Sequence, residues 1–292
     1  MKIPVIESIL DEVDFGSERI YAGMLLNEAC LISTLLFCSE VWTPLSLSDI
    51  IELEKIDNFS KRKLSKAQAK TLTISFHLEL GTYKLRHIIL KRRLMYFHGL
   101  INKDENNLLK KILQKQEQTP TKGDFLEQIK NDYAYLGIHY DTSEVKVLCK
   151  EEFKQNIKKS IENVAFYEYI KEKNTMKKLS KLNYTKFQIQ DYIKSKVITT
   201  KQKQLIFSIR TNTYKVKGNL PKLYKNNLKC RVCNFKLESQ EHVFTECPFM
   251  LTRLKNEQYL SIFTESNINK NIAILVATVD EEWRQLLDKF DP

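Results

Sequence analysis

Four residues with affinity for soft metal ions fall within eighteen positions of this chain: Cys230, Cys233, His242 and Cys247, spaced Cys-x2-Cys-x8-His-x4-Cys and followed by Pro248. Two thiolates three positions apart can grip one ion from a single tight turn. A His and a third Cys then close a tetrahedron from the segment that follows. Protein atoms fill all four corners and leave none for water, so the pattern reads as a structural Zn²⁺ site. Three thiolates around a dication leave a charge of about −1, which the adjacent Lys229 and Arg231 offset.

The charge pattern leads into the same stretch. Between Lys171 and Arg231 stand 17 Lys and Arg against only Glu172 and Asp191, an excess of +15 in 61 residues. The whole chain carries +11, so the remaining 231 residues sum to −4. Cations spaced along one path bind a phosphate backbone by releasing its condensed counterions. The expected partner is therefore nucleic acid, RNA and/or DNA. Candidate contacts are Lys177, Lys178, Lys181, Lys201, Lys203, Arg210, Lys215, Lys217, Lys222, Lys229 and Arg231. Arg210 lies in the apolar run Leu205–Thr211, where a guanidinium suits either bidentate phosphate recognition or a carboxylate such as Asp191. Tyr184, Phe187, Tyr192, Phe207, Tyr214 and Tyr224 interleave with the cations and can stack on bases or pack a core. Phe187 and Phe207, among apolar neighbours, read as packing.

With only 7 Gly and 6 Pro in 292 residues and 42% hydrophobic content, the chain should be mostly α. Apolar periodicity predicts a long helix over 17–42, stopped by Thr43-Pro44, and a second one capped by Ser46 to Asp49 that ends in Lys61-Arg62-Lys63. Further helices are predicted over 72–80 with a left-handed cap at Gly81, and over 84–102, 104–117, 124–136, 150–172, 249–263 and 271–290. Three consecutive regions follow: a helical region (1–138), a basic helical linker (139–222) and a zinc-binding module with C-terminal helices (223–292). Arg92 and Arg93 are either phosphate contacts or a wet helix face. Asp280, Glu281 and Glu282 read as solvated surface. Cys30 and Cys38 read as buried free thiols, and the scatter of Cys30, Cys38 and Cys149 offers no disulfide framework. Acidic residues interrupt the N-terminus where a signal peptide needs an apolar core, and no run of about 18 apolar residues occurs. A soluble intracellular protein, nuclear and/or cytoplasmic, with no membrane partner is expected.

Six segments in order carry a further signal: Cys38-Ser39-Glu40-Val41-Trp42, Leu53-Glu54, Leu78-Glu79-Leu80-Gly81, Arg92-Arg93-Leu94-Met95-Tyr96, Lys122-Gly123-Asp124-Phe125 and Leu136-Gly137-Ile138. Together with the zinc spacing they resemble the region that follows the palm in reverse transcriptases of non-LTR retrotransposons, over roughly residues 17–250. Phe125 stands where that family favours Trp, and the Arg210-Thr211 pair resembles a segment found upstream of its zinc ligands. The resemblance implies a helical thumb, a linker and a Cys/Cys/His/Cys zinc segment of the longer kind. It further implies a clamp on template RNA or target DNA within an RNA-directed DNA polymerase, with an upstream polymerase half as partner. Polymerisation needs a palm carboxylate cluster to hold two metal ions, and this sequence has no Asp-Asp pair. No catalytic residue is assigned. The alternative reading is a helical, zinc-containing protein-interaction scaffold derived from a retroelement. A hydrolase is disfavoured because the five His are dispersed.

Overall fold

Few glycines and prolines interrupt the backbone, so long stretches close i→i−4 hydrogen bonds. The computed structural model, which describes residues 3–13, 15–219 and 227–290, is accordingly 66% helical with fourteen α-helices and no strand among the described residues. In chain order these are α1 (Ile3–Glu12), α2 (Arg19–Leu26), α3 (Ser33–Leu35), α4 (Leu47–Leu64), α5 (Thr73–Leu80), α6 (Leu85–Ile101) and α7 (Leu108–Gln118). They continue with α8 (Phe125–Tyr135), α9 (Thr142–Val147), α10 (Lys150–Asn174), α11 (Asp191–Lys194), α12 (Thr200–Arg210), α13 (Asn256–Thr264) and α14 (Lys270–Phe290).

The capping chemistry places several boundaries. Ser46 and Asp49 exchange side-chain-to-backbone hydrogen bonds of 3.1 and 3.2 Å and start α4. Asp124 accepts from Glu127 N at 2.7 Å and starts α8, and Gly137 at φ +67° follows its end. Thr199 and Gln202 form a capping box before α12. Gly81, at φ +58°, ends α5 beside the backbone of Gln188 and Ile189, where a Cβ would come within 2.4 Å of Ile189 N. Only glycine fits there without moving that backbone.

The expected continuous helix over 17–42 is instead broken. After α2 the chain widens into a π-helical stretch, Asn27–Ile32, and then turns at Cys38, whose φ is +56°. Asn27 is buried and its Oδ1 accepts from Ser60 Oγ at 2.6 Å, a polar tie that hydrophobic periodicity does not register. Cys38 is exposed and Cys30 half-buried, so neither is the buried thiol expected.

The chain gathers into two compact units that cut across the three consecutive regions read from the sequence. The first comprises Met1–Ala29, Asn58–Thr82 and Ile170–Pro292, and the second Cys30–Asp57 and Tyr83–Tyr169. In the second, α6, α8 and α10 contribute Leu94, Phe97, Ile129, Tyr133, Phe153, Ile157 and Ile161 to one core. Arg93 lies inside it, with Nε 2.7 Å from Asp132 Oδ2, and Arg92 donates to Leu36 O. Arg93 is thus a buried helix tie, as its burial beside a carboxylate requires. A polar web joins the same helices: His87 Nε2 lies 2.8 Å from Tyr135 Oη, and Tyr135 donates to Glu168 Oε1 at 2.9 Å. Arg86 pairs with the same carboxylate.

In the first unit α12 packs against α13 and α14, and its Phe207 stacks on Phe76 of α5 with ring centres 5.7 Å apart. Ala273, Val276, Val279 and Trp283 form the buried stripe of α14, which also contacts the His242–Glu246 turn.

Candidate metal centre and its basic surroundings

Cys230, Cys233, His242 and Cys247 are all buried, and their Sγ and imidazole nitrogen atoms lie within 4.8 Å of one another. The first two ligands sit on a tight turn. Asn234 N donates to Cys230 O at 2.9 Å, Asn234 takes φ +57°, and Cys230 N returns to Lys236 O at 2.8 Å. The isolated bridge Lys229–Leu237 closes this knuckle. The other two come from one π-helical turn, His242–Glu246. Cys247 N bonds His242 O at 2.8 Å, so this i→i+5 closure brings the third thiol back beneath the imidazole. Within that turn Val243 and Phe244 are fully buried, and Phe244 meets the Tyr214 ring at 5.0 Å. One turn thus sends two side chains to the metal cluster and two to the core.

A tetrahedron with Zn–S near 2.3 Å and Zn–N near 2.0 Å puts neighbouring donors roughly 3.5–3.8 Å apart. Cys233 Sγ and His242 Nε2 are 3.3 Å apart, and the cluster as a whole is closed to within 4.8 Å. The donor set fits a metal ion. His242 Nδ1 lies 3.5 Å from Glu246 Oε2, the kind of outer carboxylate that orients a ligating imidazole. The Cys230 thiol is drawn down, first by its hydrogen bond with the Cys247 thiol, against burial, and then by backbone N–H groups of Cys233 and Val232. The same bond pushes Cys247 up.

Glu238, fully buried, organises the knuckle. Its carboxylate accepts from Lys217 N at 2.9 Å, from Arg231 N at 2.9 Å and from the Arg231 guanidinium at 2.7 Å. Glu282 of α14 accepts from Thr252 N at 3.0 Å and from Leu251 N, holding the chain just after Cys247. Asp280 accepts from Tyr214 Oη at 2.9 Å. Asp280 and Glu282, read as solvated surface, therefore tie α14 to the rest of the unit; Glu238 carries no sequence signal beyond lying between the ligands, and Glu282 carries none.

The candidate cations divide by burial. Lys177, Lys178, Lys181, Lys201, Lys215 and Lys229 are exposed. Lys181 also pairs with Glu241 at 2.8 Å. Lys203 is 0% exposed and donates to Ser17 O and Ile193 O, each at 2.6 Å. Arg210 is 1% exposed and pairs with Glu79, not Asp191. Lys217 is buried, and Arg231 is committed to Glu238. Lys203, Arg210 and Arg231 thus spend their charge on backbone carbonyls or a carboxylate, which leaves little for phosphate, and Lys217 is withdrawn from the surface. Lys222 and Tyr224 lie outside the described residues. Tyr184, Tyr192, Phe207 and Tyr214 are buried and Phe187 is half-buried, so packing accounts for the interleaved aromatics.

Charge also separates by unit. The first unit holds 30 Lys and Arg against 19 Asp and Glu, and the second holds 17 of each. The entire net charge of +11 therefore belongs to the unit containing the metal cluster. No helix among the described residues is long and apolar enough to cross a membrane.

No protein-family model, curated protein or solved structure matches this chain.

Proposed function

We propose that this chain is a nucleic-acid-binding region of the kind that follows the palm in non-LTR retrotransposon reverse transcriptases, gripping template RNA or target DNA. Structural Zn²⁺ holds its Cys230, Cys233, His242 and Cys247 knuckle. The observation that carries this reading is that the net charge of +11 belongs to the unit with the metal cluster, where six candidate lysines remain exposed. Spaced lysines on a firm scaffold match a phosphate backbone, whose affinity scales with the number of neutralised charges. Three thiolates and an imidazole favour zinc over the hard cations, which prefer oxygen. The sequence resemblance supports the same reading and adds a polymerase half of the same element as protein partner.

Ultraviolet crosslinking of the zinc-loaded chain to RNA and to DNA, followed by peptide mapping, tests it. Crosslinks should concentrate at 177–181 and 199–215. Crosslinks spread over the neutral second unit, or none, overturn it. A second reading, a scaffold for an acidic protein, draws support from the withdrawal of Lys203, Arg210 and Arg231 into internal bonds and from the burial of Lys217. Capture from lysate separates the two, because only a protein partner survives nuclease treatment.

A further inference from the structure

Within the first unit, an open groove of about 830 Å³ runs between α12 and α14. Lys66, Lys201 and Lys215 stand along it, all exposed and none with a side-chain partner among the described residues. Between them the groove has a different character: Leu205, Ala277, Trp283 and Leu287 give it an apolar floor, and Ser208, Thr213 and Gln204 add hydroxyl and amide groups. Lys66 lies in the turn after α4, with φ +48° and its N–H donating to Lys63 O at 3.1 Å. Two acids also line the groove. Asp280 is already engaged by Tyr214 Oη and, at 2.7 Å, by Arg284, which leaves Glu281 against three unpaired lysines.

We propose that this groove holds a single unpaired nucleic-acid strand, its phosphates along Lys66, Lys201 and Lys215 and its bases over the apolar floor. The inference rests on the nucleic-acid reading above and specifies which form of nucleic acid the groove accepts. A duplex turns its bases inward and presents phosphates on a convex surface, so it would reach the rim lysines and leave Leu205, Ala277 and Leu287 wet. An unpaired strand fills both: its charges meet the rim, and its bases remove the floor from water. Charge complementarity selects an anion, and the Gln204 amide faces the groove, whereas the Ser208 and Thr213 hydroxyls are already bonded within the protein. The groove thus joins Lys201 and Lys215 from the basic segment with Lys66, which follows the Lys61-Arg62-Lys63 cluster far upstream in the chain.

Fluorescence anisotropy on the zinc-loaded full chain tests this, with labelled oligouridylate of about 10 nucleotides, within the site size of single-strand grooves, and a duplex of equal length. The variants are Lys66→Asn/Lys201→Gln/Lys215→Gln, and Ala277→Phe, which narrows the floor without altering charge. Lys111→Gln/Lys158→Gln/Lys159→Gln, three exposed lysines of the second unit, serves as a charge-matched control away from the groove, and circular dichroism confirms folding. The triple variant should lose about 2 from the salt slope, at roughly 0.7 per phosphate contact. Ala277→Phe should weaken the single strand and spare whatever duplex binding exists. Variants that bind like the wild type, a duplex bound as tightly as the single strand, or an acidic peptide that displaces the strand would overturn the groove while leaving nucleic-acid binding intact. A wild-type chain that binds neither form at low salt would overturn both readings together.

Discussion

Glu79 and Arg210 lie 131 residues apart in the sequence and form an ion pair with neither side chain exposed, Arg210 Nε standing 2.8 Å from Glu79 Oε1. Tyr184 and Tyr192 donate their hydroxyls to the same carboxylate at 2.5 and 3.0 Å, and their rings lie 5.8 and 5.6 Å from the guanidinium. Arg210 also donates to the backbone oxygens of Ile262 and Glu265. The pair thereby ties α5, α12 and α13 of the first unit through one charge-matched knot.

Breaking that knot on one side strands a buried charge. Arg210→Ala or Glu79→Gln should destabilise the first unit by about 3–5 kcal/mol, and Glu79→Leu/Arg210→Met should recover much of the loss. Urea unfolding followed by hydrogen exchange in α5 and α12 measures it. Equal midpoints for wild type and Arg210→Ala would show that the pair does not stabilise the fold.

Charge-altering substitutions should separate the basic residues into two kinds. Lys201→Glu and Lys215→Glu should leave the melting temperature nearly unchanged. Lys203→Glu should unfold the first unit, because its ammonium group fills a site between Ser17 O and Ile193 O. Thermal melts of the three variants read the difference directly. A Lys203→Glu protein as stable as Lys201→Glu would refute the structural role.

Thiol reactivity should report the metal cluster. Cys38 and Cys149 are exposed and Cys30 is half-buried, whereas Cys230, Cys233 and Cys247 are buried. An alkylating reagent should modify Cys38 and Cys149 quickly and Cys30 more slowly, and should reach the other three only after strong chelation. Because zinc binding contributes on the order of 10–16 kcal/mol to folding small modules, chelation should also strip hydrogen-exchange protection from residues 228–250. It should leave α6, α8 and α10 unchanged. Immediate alkylation of all six cysteines in zinc-loaded protein would count against the site.

Acid should loosen the second unit in a way traceable to Glu168. Burial alone would raise this carboxyl, but hydrogen bonds with His87 and Tyr135 and the charge of Arg86 hold it down at about 2. Its folded value lies below the unfolded value of about 4.3. Its contribution is therefore complete above that value and disappears as pH falls from there towards about 2, a change on the order of 2 kcal/mol. Glu168→Gln should flatten this part of the stability profile, measured as urea midpoints across that window. An unchanged acid limb would remove Glu168 from the account.

What was legible in the sequence follows from how local each cause is. Helix caps at Ser46 and Asp124, the left-handed Gly81 and the Cys-x2-Cys turn depend on residues a few positions apart, and they appear where the spacing placed them. The π-helical break begins at Asn27, which bonds Ser60, and Arg210 pairs with Glu79, both partners far away in the chain. Nothing in the basic segment distinguishes Lys201, exposed on α12, from Lys203 two positions later, because a helix turns successive residues about 100° apart and only tertiary packing decides which faces inward. The same holds for Glu238, whose carboxylate organises the knuckle although its neighbours mark it only as one acid among basic residues.

The central claim is that the exposed lysines of the first unit neutralise phosphates. The direct measurement is the affinity of zinc-loaded protein for single-stranded RNA between about 50 and 200 mM salt. With roughly six lysines engaged, the logarithm of the binding constant should fall with a slope near −4 against the logarithm of salt concentration. A flat dependence on salt, or no binding at the lowest concentration, would contradict it.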